Sequence, residues 1–264
     1  MSNNNTISKT LFVAVTLCLV CSAIISTAAV SLRDLQEANK ELDKRTKVLA
    51  SAGLLNGNKS IEESFLSIRE KIIDLRTGKF TEEIDLDAFD ETSIARDKNT
   101  SLLLNPMEDI AVIKRRENYQ KIYLHYKDEV LSSIILPVRG YGLWGTLYGY
   151  LALEPDFQTI IGLEFFQHKE TPGLGGEVDN PRWKALWKGK KIFNNNDEVI
   201  ISVIKGSVDN KSTKSQYQVD GLSGATITSN GISNLLTFWL GKLGYLTFIQ
   251  QFKDSSITER KTNA

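Results

Sequence analysis

Residues 220–230 read Asp220-Gly-Leu-Ser-Gly-Ala-Thr-Ile-Thr-Ser-Asn230, and the run from Gly231 to Leu243 that follows is apolar with helical spacing. Four hydroxyl residues (Ser223, Thr226, Thr228 and Ser229) and two glycines (Gly221 and Gly224) crowd into one turn-like segment. Two accounts fit this composition. In the first, Ser229 or Asn230 caps the helix and the other hydroxyls satisfy a polar turn. In the second, the loop is a phosphate seat. Glycines let the backbone approach an anion, while free N–H groups and the helix dipole favour its negative charge.

The helix needs a surface for its apolar residues Leu235, Leu236, Trp239, Leu240 and Leu243, with Gly244 as its stop. The chain before it offers strands. Lys121–Tyr126 and Val130–Val138 flank a polar Lys-Asp-Glu turn and predict a hairpin. Thr146–Leu153 and Thr159–Phe166 are β-rich on either side of Glu-Pro-Asp, and Glu198–Lys205 reads as another buried strand. Pro181–Leu186 suggests a short helix. Upstream, Ser60 and Glu63 have capping-box spacing. They are expected to open a helix with Phe65, Ile68, Ile72 and Leu75 on one face, ended by Gly78. Residues 79–110 are acidic and turn-rich, which suggests a surface excursion. The order suits an α+β fold: a mixed domain of antiparallel strands with flanking helices, behind an N-terminal segment of a different kind.

That segment, Leu11–Val30, is uncharged and lies between Lys9 and Arg33. At about 1.5 Å rise per residue it spans a hydrocarbon core of about 30 Å. Ser26-Thr27-Ala28 resembles a signal-peptide cleavage site, but the length of the run and the lone Lys9 before it favour an uncleaved anchor. Residues 33–52 then read as a helical stalk on Leu35, Leu42 and Leu49, joined by Ala38 and Ala52 and stopped at Gly53. The expected organisation is a short tail (1–10), a transmembrane helix (11–30), a stalk (31–57) and a domain (58–264) with its core over about 115–252. Arg33, Lys40, Lys44 and Arg45 follow the apolar run, mixed with four carboxylates. By the positive-inside count they would keep the large domain inside.

Composition excludes more than it assigns. Lys+Arg and Asp+Glu both number 32, so no basic surplus points to nucleic acid. Cys18 and Cys21 sit within the apolar run and read as small fillers, not as a redox or metal pair. Histidines are limited to His125 and His168, which argues against a zinc cluster. No Walker loop, no G-x-G-x-x-G and no persuasive Ser-His-Asp order occurs, so neither a catalytic residue nor a metal is expected. Besides 220–230, two loops stand out. His168-Lys-Glu-Thr-Pro-Gly-Leu-Gly-Gly176 is a proline–glycine turn after a strand. Gly140-Tyr-Gly-Leu-Trp-Gly145 is either plain core or a support that sets Tyr141 or Trp144 against a flat ring. Lys205 and Lys242 could counter a phosphate charge, although solvated lysines account for both.

Ser223-Gly224-Ala225-Thr226, with Thr228, resembles the flavinylation motif of the FMN-binding domain family. Further pieces resemble its membrane-anchored members: the N-terminal apolar segment, Gly140–Gly145, Glu170-Thr-Pro-Gly-Leu-Gly175 and Phe238-Trp-Leu-Gly241. Together they cover most of residues 8–252. The resemblance implies FMN joined through its phosphate to the Thr226 hydroxyl by a separate flavin transferase, with Ser223, Gly224, Ala225 and Thr228 around it. It implies that the second loop walls the flavin. Leu174 would press on the ring, and Thr171 and the backbone of Gly173 and Gly175 would reach its polar edge. Glu170 would orient the loop or meet a ring N–H, and Tyr141 and Trp144 would flank the ring. The implied function is electron relay within a sodium-translocating NADH:quinone reductase, whose other subunits are the partners. The implied location is single-pass in the bacterial inner membrane with a periplasmic domain, opposite to the charge count. A component of the related ferredoxin–NAD electron-transport complex and a non-redox membrane-tethered scaffold are the alternatives. The Phe238–Gly241 ending and the long region before Lys121 favour the quinone reductase.

Overall fold

The computed structural model describes residues 7–55 and 57–253. Its contacts divide at Lys44/Arg45 into an N-terminal unit and a much denser second unit. The first unit holds most of α1 (Ile7–Ser51). An 18-residue window of α1 has mean hydropathy 2.4, and none of it is buried. Phe12, Leu17, Ile24 and Ile25 are among the large apolar side chains it exposes. A helix this apolar on every side has the length and composition to cross a bilayer.

The second unit carries α2 (Ile61–Phe65), β1 (Ile68–Asp74), β2 (Lys79–Phe80), α3 (Glu91–Arg96), β3 (Ser101–Leu103) and β4 (Arg115–Glu117). Next come β5 (Tyr119–Lys127), β6 (Val130–Tyr141), β7 (Thr146–Leu153), β8 (Ile160–Gln167), α4 (Pro181–Ala185), β9 (Ser202–Val203), β10 (Gln218–Val219) and α5 (Thr226–Leu240). Six of the strands form one antiparallel sheet in the order β2-β1-β5-β6-β7-β8. The predicted hairpin is its centre. Asp128 and Glu129, at φ 51° and 61°, supply the two left-handed residues that a two-residue turn requires.

Both faces of the sheet are covered, and the alternation of side chains sorts the core into layers. Ile122, Leu124, Ile134, Leu136, Leu147 and Leu151 face the side where α5 packs. Tyr123, Ile135, Tyr150 and Ala152 face the other side, with Val48 and Leu49 from the end of α1. Helix α5 lies close along β6. A Cβ on Gly231 would stand 2.4 Å from the Tyr141 carbonyl oxygen, so only glycine allows this approach. Further along, the Trp239 indole N–H donates to the Arg139 carbonyl at 2.7 Å.

The structure corrects four expectations. The Ser60–Glu63 capping box is present, with both reciprocal hydrogen bonds, but its helix ends after one turn at Phe65. Ile68–Asp74 is instead a sheet strand paired with β5 over seven residues. Ile68 and Ile72 are four apart, a spacing shared by one face of a helix and one face of a strand, so the long-range pairing decides. The 79–110 stretch is more than an excursion: Ile84, Leu86, Phe89 and Ile94 pack on Ile72 and Tyr119. Within Glu198–Lys205 only Ser202–Val203 forms a regular strand, parallel to β10, with one more bridge from Phe193 to Val199. Finally, the last helix begins at Thr226 and ends at Leu240. Ser229 and Asn230 lie inside it and do not cap it. Gly241 donates back to Phe238, and the chain turns through Gly244 into a further helical stretch at 246–253.

Three acid-sensitive groups define a pH prediction. Burial pushes the His125 imidazole below its ordinary value. Burial would raise the Asp74 carboxyl, but hydrogen bonds from the Arg76 side chain and backbone hold it low. Asp156 is likewise raised by burial yet held low overall by hydrogen bonds from Thr159 and Gln158. In each case the unfolded chain binds more protons, so stability falls as pH falls. Thermal unfolding should shift downward below about pH 6.5, where His125 begins to count, and more steeply below about pH 4, where the two aspartates protonate. A midpoint that rises on acidification from neutrality would contradict this assignment.

Candidate functional site

The three loops singled out in the sequence meet at the N-terminus of α5, and Glu170 fastens them together. Its Oε1 accepts hydrogen bonds from the backbone N–H groups of Leu143 and Trp144, each at 3.0 Å. Its Oε2 accepts from the Thr228 hydroxyl at 2.5 Å. Glu170 is only 6% exposed, and Thr228 is fully buried. The nest has no spare room: a Cβ on Gly142 or on Gly175 would stand 2.6 Å from a Glu170 carboxylate oxygen. Glu170 therefore acts as the clasp between the 140–145 loop, the 168–176 loop and α5. Behind it, the Glu170 N–H donates to His168 Nδ1 at 3.2 Å, and His168 Nε2 pairs with Asp179 at 2.8 Å.

The four hydroxyls of the 220–230 stretch separate cleanly. Thr228 is spent on Glu170. Ser229 is buried and accepts from the Leu222 N–H at 3.1 Å, which braces the loop against the helix. Ser223 is exposed on the turn at Gly224, whose φ is +70°. Thr226 is exposed at the first position of α5. The residue before it, Ala225, makes no side-chain cap. Among the described residues, the backbone N–H groups of Thr226, Ile227 and Thr228 find no acceptor. An uncapped helix start with free N–H groups and an exposed hydroxyl can hold an anion such as a phosphate.

Around this seat lie side chains that a folded domain would ordinarily bury. Leu174 is 44% exposed, Tyr141 43%, Trp144 62% and Ile227 57%. Leu174 leans over the 220–230 loop, its Cδ2 standing 2.8 Å from where a Cβ on Gly224 would be. Thr171 and Gly173 are exposed in the same turn, where the Thr171 carbonyl accepts from Leu174 and Gly176. The donor set, the open phosphate seat and the apolar rim all fit FMN, which combines one phosphate with a flat ring.

The family model of the FMN-binding domain matches residues 142–241. Over 258 residues the chain is 48% identical to the NqrC component of the Na(+)-translocating NADH-quinone reductase of Pseudomonas aeruginosa, covering 96% of this chain and 98% of that protein. The chain belongs to the NqrC family of Na(+)-translocating NADH-quinone reductase subunits. The NqrC protein of Vibrio anguillarum is 43% identical over 97% of this chain and 99% of its own length. Among solved structures, Shewanella oneidensis NqrC superposes with a TM-score of 0.75 at 38% identity, covering 82% of this chain and 99% of that one. The corresponding reductase component from Parabacteroides distasonis gives 0.62 at 30% identity, covering 83% and 96%. This chain thus has the mixed α+β FMN-binding fold of NqrC.

Within the NqrC fold, Ser223, Gly224, Ala225, Thr226, Thr228, Thr171, Gly173, Leu174, Gly175, Glu170, Tyr141 and Trp144 fall in the three converging loops. They divide by exposure. Glu170, Thr228, Gly175 and Ala225 are buried and build the site, while Thr226, Leu174, Tyr141 and Trp144 are exposed and can meet a ligand. Of the lysines, Lys205 is exposed in the segment after β9, and Lys242 lies beyond the far end of α5, distant from the seat. Sequence reasoning passed over Ile227 and Leu143, which is 39% exposed. The signal for Ile227 was available. It falls off the stripe formed by Thr228, Ile232, Leu235 and Trp239, so an isoleucine there faces outward beside Thr226.

Proposed function

We propose that FMN is attached through its phosphate to the Thr226 hydroxyl, and that the chain relays electrons between redox centres of the other subunits of the NADH-quinone reductase. The observation that carries this reading is the exposed Thr226 hydroxyl at an uncapped helix start with three free N–H groups. Esterification leaves one negative charge on the phosphate, and those N–H groups with the helix dipole stabilise it. When bound, the flavin supplies reversible electron uptake and release. The chain's own residues do the rest. Leu174, Tyr141 and Trp144 shield a flat ring from water, and Glu170 holds their loops at fixed separation. A covalent tether keeps the carrier from being lost. Among the described residues no carboxylate or imidazole hydrogen-bonds Thr226, which supports attachment by a separate flavin transferase.

The apolar part of α1 serves as the membrane anchor in this proposal, in the bacterial inner membrane with the domain periplasmic. The charges after the apolar run oppose that orientation, but a long domain can be translocated despite local charge. Sodium crosses through other subunits, because Leu11–Val30 offers no charged side chain to an ion. The proposed layout keeps residues 1–10 as the tail, 31–57 as the stalk and 58–264 as the domain. Of these, residues 1–6, 56 and 254–264 lie outside the described residues. Mass spectrometry of the native chain tests the attachment. The peptide holding Thr226 should be heavier by one FMN less one water, and an unmodified peptide in the assembled, active complex would overturn the proposal.

A further inference from the structure

A cavity of about 420 Å³ lies well away from the flavin seat, with Trp239 in its wall. At about 1.5 Å per residue, Trp239 stands roughly 20 Å along α5 from Thr226. The cavity exists because the sheet splits. Strands β5 and β6 pair from the hairpin turn only as far as Tyr123 and Ile135. On their outer sides β5 stays paired with β1 out to Tyr119, and β6 with β7 out to Tyr141. Pro137, which has no N–H to give to a ladder, sits where the two strands part.

The walls are of two kinds. Pro137, Val138, Phe166 and Trp239 supply an apolar floor. Charge lines the rest: Arg96, Lys114, Arg115 and Arg139 against Glu91 and Glu117. Arg139 is committed to Glu117 at 2.6 Å and to the Arg115 carbonyl at 2.9 Å. Arg115 is satisfied by the neutral Ser101. Arg96 and Lys114 are exposed and form no ion pair among the described residues. Two positive charges are thus in surplus in a concave site, where they concentrate anions. The rim is also strained. Val112 and Lys114 stand at φ 53° and 64°, unusual for a β-branched residue above all. The Asp109 carboxylate pins them by accepting from the N–H groups of Ile113 and Lys114 at 2.8 and 2.7 Å.

We propose that this cavity is a second ligand site, which takes a small organic acid with an aromatic body. The ring lies on the apolar floor, and the carboxylate meets Arg96 and Lys114. The volume is within the usual range for small-molecule sites.

Isothermal titration of the full-length flavin-bearing chain with naphthoate tests this, with naphthalenemethanol as the neutral comparator in the same detergent. One naphthoate per chain should bind saturably. Arg96→Ala combined with Lys114→Ala should weaken it at least about ten-fold, and the neutral alcohol should bind more weakly by a similar factor. Ala95→Trp, which fills the cavity without changing its charge, should abolish binding. Unchanged far-UV circular dichroism will establish that both variants fold. The proposal is overturned if naphthoate fails to saturate at millimolar concentration. It is equally overturned if folded variants bind like the parent, or if acid and alcohol bind alike.

Discussion

Thr226→Ala should give a colourless chain whose mass matches the unmodified sequence, with flavin loading falling from near complete to none. Three neighbouring hydroxyls cannot take over, each for a different reason. Thr228 is buried, and its hydroxyl is donated to Glu170. Ser229 is buried, and its hydroxyl accepts from the Leu222 N–H. Ser223 is exposed but belongs to the turn before the helix, ahead of the free N–H groups that would hold a phosphate. The fold should barely notice the change. Thr226 is an exposed first-turn residue without a side-chain hydrogen bond among the described residues, so stability should move by no more than about 0.5 kcal/mol. Thr226→Ser should keep the flavin, because it keeps the oxygen. Mass spectrometry of the intact protein and in-gel flavin fluorescence read both results. A yellow Thr226→Ala chain with a stable adduct would place the bond on another residue.

Glu170→Ala should be the most destabilising single change in the site. It removes one buried carboxylate and leaves three donors without an acceptor: the Leu143 and Trp144 N–H groups and the Thr228 hydroxyl. Hydrogen bonds to a charged group are worth roughly 1.5–3 kcal/mol each, and the stranded groups can recover part of that from water. A net loss of about 3–5 kcal/mol follows. In a unit of this size that lowers the melting temperature by about 10 °C. Glu170→Gln should lose far less. Its amide oxygen still accepts from the two N–H groups, and its NH₂ can donate to the Thr228 oxygen. Flavin loading should follow the same order, since the transferase must recognise a seat whose loops are held apart correctly. Thermal unfolding of the two variants checks the ranking. Equal stability in Glu170→Ala and the parent would mean that the clasp contributes nothing.

The elements of the proposed site were legible as local patterns, although composition fitted a capped polar turn as well as a phosphate seat and only the resemblance singled out Thr226. Ser223–Thr228 declares a hydroxyl-rich turn around Gly224 in six residues. The apolar run at Leu11–Val30 needs only length and the absence of charge. The hairpin around Asp128 and Glu129 needs only two β-rich flanks and a polar break. What failed was structure set by distant partners. Ile68–Asp74 has helical spacing, yet it is a strand because β5 offers it seven paired positions. Residues 79–110 look solvated, yet four of them complete a small core on Ile72 and Tyr119.

Sequence alone determined where a site could lie: a turn rich in hydroxyls and glycine, the apolar helix that follows it, and the apolar segment that precedes the domain. Tertiary structure alone decided the work of Glu170. As a sequence symbol it was a carboxylate that could face a ring or a loop. In the fold, both its oxygens point inward to donors from segments more than 20 residues away on each side. Three-dimensional closure also left the start of α5 uncapped, with the Ser229 hydroxyl accepting from the Leu222 N–H instead of capping the helix. The reason is the same in both cases. A polar group takes the partner that folding brings within about 3 Å, and that distance is not a property of the chain order.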